Sequence, residues 1–188
     1  RNPKHPLLER LIFLLIFSSN LDEFYEIRVA GLKKQLDFGR QRPGPDGLYP
    51  EQVLKDTHAQ VRIALSEQYR ILNEDLLPCL AKEKIRFLHR HEWNKELKNW
   101  AREYFLNEVL PVASPLGLDP AHPFPRLVNK SLNFMLSLEG KDAFGRDSGL
   151  AMVPAPRSLP RLIKIPEELM PDGDNFVFLS SIIHAHVE

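Results

Sequence analysis

The chain has 188 residues, of which 43% are hydrophobic and 27% charged, and its 25 basic residues balance its 25 acidic ones. This composition is ordinary for a globular protein, and it excludes an acidic disordered tail and a histone-like basic binder. The single cysteine, Cys79, excludes a disulfide framework and a thiolate zinc site.

The first third of the chain predicts two consecutive helices. Residues 7–18 are apolar on nearly every side, which predicts a buried helix, and residues 20–36 form an amphipathic pattern. Asn20 is suited to cap the second helix, with Asp22 and Glu23 in the first turn, where carboxylates favour the positive helix end. The pattern therefore predicts a break between the helices near Asn20.

Further helices are predicted before residue 110. A loop rich in glycine and proline spans residues 39–50, and apolar residues then recur at three- and four-residue steps over 51–77. Pro78 is expected to end this third helix, and a fourth is predicted from about 94 to 110. Ten of the sixteen prolines lie from position 111 on, which predicts a domain boundary between residues 110 and 111.

The remaining residues change their period and favour short strands. A hairpin connection is predicted at 140–149, and a helix is predicted to begin at about Ser180. The expected fold class is α+β: an antiparallel helical bundle over 1–110, then an α+β domain over 111–188 with a small, mainly antiparallel sheet. Four segments are predicted to be strands: 131–138, 149–153, 161–164 and 175–179.

Common catalytic motifs are missing from the sequence. It has no phosphate-binding glycine loop of the Walker or dinucleotide type and no G-x-S-x-G turn. The two His-x-His pairs, His89/His91 and His184/His186, are better explained as polar surface residues than as metal ligands, because the second pair lies on a predicted helix, where residues two apart diverge. We expect no metal site in these residues, and we interpret Cys79 as a packed thiol.

Asn20 is the main candidate binding residue. The amide end of a helix can meet a ligand, but Asp22 and Glu23 would repel a phosphate group there. A neutral group such as a nucleobase edge fits better, since the side chain of asparagine offers both a donor and an acceptor. From the residues alone, capping is the favoured role of Asn20 and ligand contact is the alternative.

Two other features leave two interpretations open. The proline-rich stretch 111–125 is either a rigid connection between domains or part of a site that includes His122 and Arg126. The basic side chains of Arg28 and of residues 33–34 form either a solvated helix face or a surface for a polyanion.

Several segments share motifs with a known family. They are P-L-L-E-R-L at 6–11, F-S-S-N-L-D-E-F at 17–24, R-V-A-G-L at 28–32, L-D-P-A-H-P-F-P at 118–125 and N-K-S-L-N at 129–133. These segments resemble the N-terminal domain and the start of the head domain of bacterial polyphosphate kinases. The resemblance covers nearly the whole chain, in order.

The resemblance implies a function that the residues alone do not. Such enzymes reversibly transfer the terminal phosphate of ATP to inorganic polyphosphate, with Mg²⁺ and through a phosphorylated histidine. The histidine and the metal site belong to later domains of the family, so no catalytic residue is expected here. Asn20 matches the family residue that contacts adenine. Residues from about 111 on would take part in a homodimer or higher homo-oligomer, and nucleic acid is not an expected partner.

The same resemblance implies that the chain is a fragment. The family normally begins with a further helix that carries an E-L-S-W-L-x-F-N pattern, and the head domain is expected to continue beyond residue 188. We expect the enzyme to be cytoplasmic, since the longest apolar run, residues 11–17, is too short for a membrane span of about 20 residues, with peripheral membrane association left open. The alternative to a kinase is a non-catalytic protein-interaction module.

Overall fold

The computed structural model describes residues 4–39, 42–119, 122–140 and 149–187. The chain divides into two compact units, Arg1–Glu83 and Lys84–Glu188. Within the described ranges, none of the helices combines the length and the hydropathy that a bilayer crossing requires.

The first unit is a hairpin of two long helical arms. Its arms are antiparallel, because the start of the first arm packs on the end of the second and the end of the first on the start of the second. The first arm comprises α1 (Leu7–Phe24), a π-helical turn (Tyr25–Val29) and α2 (Ala30–Asp37), and the second comprises α3 (Pro50–Arg70), a π-helical turn (Ile71–Leu76) and α4 (Leu77–Lys82).

The predicted break near Asn20 is wrong, because α1 runs through it. Half-buried positions continue at three- and four-residue steps across this point, at Leu14, Ser18, Leu21 and Tyr25, so one helix face stays in register with the second arm. Asn20 therefore lies inside a helix and does not cap one, since interior amides already bond to carbonyls of the preceding turn.

The prediction that Pro78 ends the third helix is also wrong. The second arm continues to Lys82, with Pro78 in the first turn of α4. The π-helical turn just before it explains why: the amide of Leu77 donates to the carbonyl of Leu72, five residues back. This wider turn shifts the preceding carbonyls away from the proline ring, which would otherwise clash in a regular helix.

In its described residues, the second unit combines two α-helices with two three-stranded sheets. In one sheet the order is β1-β6-β5, with β1 parallel and β5 antiparallel to β6; in the other the order is β2-β4-β3, and both pairings are antiparallel. The elements are β1 (Ile85–Phe87), α5 (Lys95–Tyr104), β2 (Leu116–Leu118), β3 (Asn133–Ser137), β4 (Leu150–Pro154), β5 (Leu162–Lys164), β6 (Asp174–Phe178) and α6 (Leu179–His186).

These elements confirm the α+β class and the four predicted strands, which are β3 to β6. The predicted connection at 140–149 joins an antiparallel pair, with Ser137 opposite Leu150, but residues 141–148 lie outside the described residues. Asn94 begins α5 as predicted, because its side-chain oxygen accepts a hydrogen bond from the amide of Leu97 at 2.8 Å. The three-residue strands β1 and β2 were not predicted, since so few residues show no alternation.

The core of the second unit includes α5. Leu97 and Ala101 of α5, and Phe105 directly after this helix, pack in one buried cluster with Val177 of β6 and Ile182 of α6. The predicted boundary at residues 110 and 111 therefore lies within the second unit. The physical reason is that the apolar face of α5 is covered by the sheet and helix that follow it, so proline content alone did not mark where the packing changes.

Candidate functional site

Asn20 lies on the exposed face of α1, between two aromatic side chains. Phe17 and Phe24 are one helical turn before and after it, and they are 39% and 38% exposed. Ile16 adds a further exposed apolar side chain one turn before it. The surface around Asn20 therefore has a polar centre with apolar groups on both sides along the helix axis. We call these residues, Ile16, Phe17, Asn20 and Phe24, the Asn20 face.

The carboxamide of Asn20 is available to a ligand. It forms no hydrogen bond with another of the described residues, and the side chain is exposed. Its oxygen can accept a hydrogen bond and its nitrogen can donate one. The edge of a purine base offers a matching donor and acceptor. The surface around Asn20 also suits a flat ring, because the neighbouring phenylalanine side chains can pack against the faces of that ring.

Acidic and basic side chains occupy separate parts of the first arm. Asp22 and Glu23 are exposed within three residues of Asn20, and the exposed Arg28 follows in the π-helical turn. Arg28 is about 12 Å further along the axis at 1.5 Å per residue. Lys33 and Lys34 lie beyond it on α2 and are also exposed. Negative charge therefore follows Asn20 within one helical turn, and positive charge begins two turns further on.

A buried glutamine holds α1 in place beneath this face. The side-chain nitrogen of Gln68, on α3, donates to the Leu14 carbonyl at 3.1 Å and to the Ser18 hydroxyl at 2.6 Å. The ring of Tyr25 stacks on His58 of α3, with centroids 6.2 Å apart and an angle of 5°. These contacts fix the register of α1, two residues before Asn20 and five after it.

Gln68 was not singled out as a functional candidate from the sequence. It occupies an inward position in the apolar repeat of α3, together with Ala64 and Leu65, and it is buried. A polar residue at such an inward position is the signal that could have identified it, because a buried amide needs hydrogen-bond partners across the interface.

A cavity of about 290 Å³ adjoins the Asn20 face, between the two arms of the first unit. Phe17 belongs both to this cavity and to the Asn20 face, and the Nε of Arg10 in the cavity is buried without a hydrogen-bond partner among the described atoms. The lining residues are His5, Arg10, Phe13, Leu14, Phe17, Ile71 and Leu76.

The other predicted candidates do not form one site. His122 makes an ion-pair contact with Asp119, with Nδ1 and Oδ2 3.3 Å apart, and both His122 and Arg126 are exposed. Residues 120 and 121 of the same stretch lie outside the described residues. In the described part of the chain, no three His, Cys, Asp or Glu side chains are grouped so that they could hold a metal ion.

Two family models match the chain one after the other. The polyphosphate kinase N-terminal domain matches residues 1–88, and the polyphosphate kinase middle domain matches residues 96–188. The polyphosphate kinase of Pseudomonas aeruginosa is 62% identical over 184 residues, or 98% of this chain and 27% of that protein. That of Neisseria gonorrhoeae is 51% identical over 182 residues, or 97% of this chain and 27% of that protein.

A solved structure shows the same fold. The crystal structure of polyphosphate kinase from Porphyromonas gingivalis matches with a TM-score of 0.79 and 26% sequence identity, over 97% of this chain and 26% of that chain. The chain thus spans about a quarter of the length of the relatives that it matches.

Proposed function

Because the chain belongs to the polyphosphate kinase family, we propose that it is the N-terminal part of an enzyme that reversibly transfers the terminal phosphate of ATP to inorganic polyphosphate. The observation that carries this proposal is the match of two successive domains of that family to residues 1–88 and 96–188. Since about three quarters of each relative lies outside the matched region, we assign the reacting groups to residues beyond this chain.

The proposed reaction splits one transfer into two. A histidine outside these residues attacks the terminal phosphorus of ATP, a nitrogen–phosphorus bond forms, and the bond to the departing ADP oxygen breaks. In the second step the terminal oxygen of a polyphosphate chain attacks the same phosphorus and frees the histidine. None of the histidines of the described chain has a role in either step.

We assign to Asn20 the contact with the adenine of ATP. The exposed carboxamide supports this assignment because it can both donate to and accept from the edge of the base. Phe17 and Phe24 offer rings on either side. Asp22 and Glu23 also support this assignment. Their negative charges disfavour a phosphate group at this point, so the triphosphate is directed away from Asn20.

Steady-state kinetics of the complete enzyme test this assignment. We expect Asn20→Ala to raise KM for ATP about two- to tenfold with little change in kcat, because one neutral hydrogen bond is worth about 0.5–1.5 kcal/mol. Gln60→Ala is the matched control, since it removes an exposed carboxamide from α3. An unchanged KM in a folded Asn20→Ala enzyme would contradict the adenine contact.

Mg²⁺ accompanies ATP in the proposed reaction. Proteins usually hold Mg²⁺ through one or two carboxylates together with the phosphates of the nucleotide. The described residues contain no group of three side chains that could hold the ion without the nucleotide. We assign the protein ligands of Mg²⁺ to residues outside this chain, together with the reacting groups.

We assign homodimer formation to the second unit. The sheet β2-β4-β3 supports this assignment, because one of its faces leaves apolar side chains uncovered. Leu116, Met135 and Leu150 are 44%, 50% and 46% exposed, and the pairing of β2 and β3 with β4 places them on the same face. An exposed apolar sheet face of this kind is typical of a protein interface.

The mass of the complete enzyme in solution tests the role of this sheet face. We expect Met135→Glu combined with Leu150→Glu to convert the oligomer into smaller species, because charges would be buried at the interface. Ile63→Glu, at a 66% exposed position of α3, is the control. An unchanged mass by light scattering, with folding retained, would contradict the assignment.

A further inference from the structure

A group of imidazole and guanidinium side chains gathers at one end of the second unit. It draws on three segments: the turn after β1, helix α5 and the end of α6. Neither the adenine contact nor the sheet interface uses these residues. We call the group the basic cluster; its members are His89, Arg90, His91, Arg102, His184 and His186.

Direct contacts bring the three segments together. A guanidinium nitrogen of Arg90 contacts Nδ1 of His184 on α6. The ring of His186 lies against Phe105, with centroids 5.2 Å apart, and Arg102 is one turn before Phe105 on the same side of the helix. In the turn after β1, the rings of His89 and His91 stack with centroids 5.6 Å apart. The packing of α6 on α5 thus sets the positions of these groups.

The electrostatic environment of His186 is positive. Burial and then the nearby guanidiniums of Arg102 and Arg90 lower the pKa of His186, so the positive potential of both arginines reaches this ring. Two carboxylates are adjacent to cluster members in sequence. Glu92 accepts a hydrogen bond at 2.6 Å from the backbone amide of His89 and is held at the start of that turn, and Glu103 follows Arg102 on α5. Helix α6 carries no acidic residue.

Exposure makes the cluster accessible. Arg102, His184, His89 and His91 are exposed, and Arg90 is half-buried. Lys98, one turn before Arg102 on α5, is also exposed and extends the positive surface along that helix. Planar guanidiniums bind phosphate oxygens through two parallel hydrogen bonds, and imidazole nitrogens supply further donors.

We propose that the basic cluster binds a chain of linked phosphate groups. A linear phosphate chain fits better than a single phosphate, because the donors are spread over three segments and a row along α5. The proposal rests on the proposed function only for the source of the ligand, which is inorganic polyphosphate or the triphosphate of a nucleotide. Multiple contacts of this kind release counterions, so the binding weakens as salt concentration rises.

Hydrogen exchange of the complete enzyme tests the proposal, because it shows which peptides a bound ligand protects. With tripolyphosphate as the probe, we expect slower exchange in the peptides that contain residues 89–92 and 182–187. We expect Arg90→Gln combined with Arg102→Gln to raise the tripolyphosphate concentration needed for this protection at least tenfold, because two charge-assisted hydrogen bonds are lost. Arg157→Gln combined with Arg161→Gln is the matched control, since both are exposed arginines of the same unit.

The source of the ligand is separated by further probes. Protection by ATP as well as by tripolyphosphate would support a site for any phosphate chain, and protection by tripolyphosphate alone would support inorganic polyphosphate. Equal protection by orthophosphate, or by an oligodeoxynucleotide of the same charge, would overturn the proposal.

Unchanged exchange in these peptides, or protection that persists in the double variant, would also overturn it. If that variant unfolds, His184→Gln replaces it. Asn20→Ala should leave the protection intact, so that a failure of the adenine assignment and a failure of the basic cluster remain distinguishable.

Discussion

Each unit contains a residue with a buried polar atom that lacks a hydrogen-bond partner among the described atoms. Gln68 satisfies its nitrogen through Leu14 and Ser18, yet its oxygen is buried without a partner among the described atoms, as is Nε2 of His186. A buried polar atom without a hydrogen bond costs about 1–3 kcal/mol. Gln68 offsets this cost by fixing α1, on which Asn20 lies, whereas His186 makes the second unit sensitive to protonation.

At the residue scale, we predict that His186 lowers stability in mild acid. Burial and two arginines lower its pKa below the usual value of 6.5, so the unfolded chain binds a proton at a higher pH than the folded chain does. The stability is therefore complete above pH 6.5 and falls as pH drops through 6.5 toward the lowered pKa.

Thermal unfolding of the purified chain between pH 5 and 7.5 measures this effect. We expect His186→Gln to flatten the dependence of Tm on pH, while His91→Gln, which removes an exposed imidazole from the same unit, leaves the dependence close to that of the parent chain. Profiles that run parallel in the parent chain and in His186→Gln would contradict the prediction.

At the scale of elements, the sequence predicts the long helices and the five-residue strands better than their interruptions. Apolar residues predicted helices in both arms, with three- and four-residue steps over 51–77. The residues near Asn20 resembled a helix start, because Ser, Asn and Asp favour caps without requiring them. The structure decides otherwise because half-buried positions on both sides of Asn20 pack against the second arm, so the helix continues through this point. Strand β1 was not predictable from local pattern, since it forms only by pairing with β6, far along the chain.

The junction of β1 and β6 depends on one glycine. Gly173 has φ of +96°, and a Cβ at this position would lie 2.2 Å from the carbonyl oxygen of Lys84 and 2.6 Å from its Cβ. The same carbonyl accepts a hydrogen bond from the amide of Asp174 at 2.8 Å, which begins the parallel pairing. The close approach of the two backbones therefore requires a residue without a side chain.

We predict that Gly173→Ala destabilises the chain by about 2–5 kcal/mol, because backbone strain and a steric clash add. Gly31→Ala is the opposite case: Gly31 lies inside α2 with open space around it, so alanine should stabilise the helix by about 0.5–1 kcal/mol. Urea denaturation of both variants measures the two changes. A loss below about 1 kcal/mol for Gly173→Ala would show that the junction can move.

At the scale of the whole molecule, sequence motifs indicated the family of the chain, whereas composition did not. A net charge of zero and ordinary hydrophobicity fit many globular proteins, and no three-residue catalytic arrangement is visible in the sequence. The F-S-S-N-L-D-E-F motif pointed to Asn20, but only the structure places the exposed Phe17 and Phe24 beside it. The basic cluster was not predictable, because Arg90 and His184 lie 94 residues apart and meet only when α6 packs against the rest of the second unit.

The apolar surface of α1 also belongs to this scale. The helix contains no fully buried residue, and Leu8, Phe13 and Leu15 are 56%, 60% and 57% exposed. Sequence pattern predicted a buried helix here, since it is apolar on nearly every side. Hydrophobicity indicates which residues favour burial, but it does not say whether a partner surface lies within the same 188 residues.

The most direct test of the account is a structure of the complete enzyme with a non-hydrolysable ATP analogue. We predict that the adenine lies against the Asn20 face, with the carboxamide of Asn20 bonded to the edge of the base and the triphosphate directed away from Asp22 and Glu23. An adenine bound away from α1 would contradict the central claim that these residues form the base-binding end of a phosphate-transfer site.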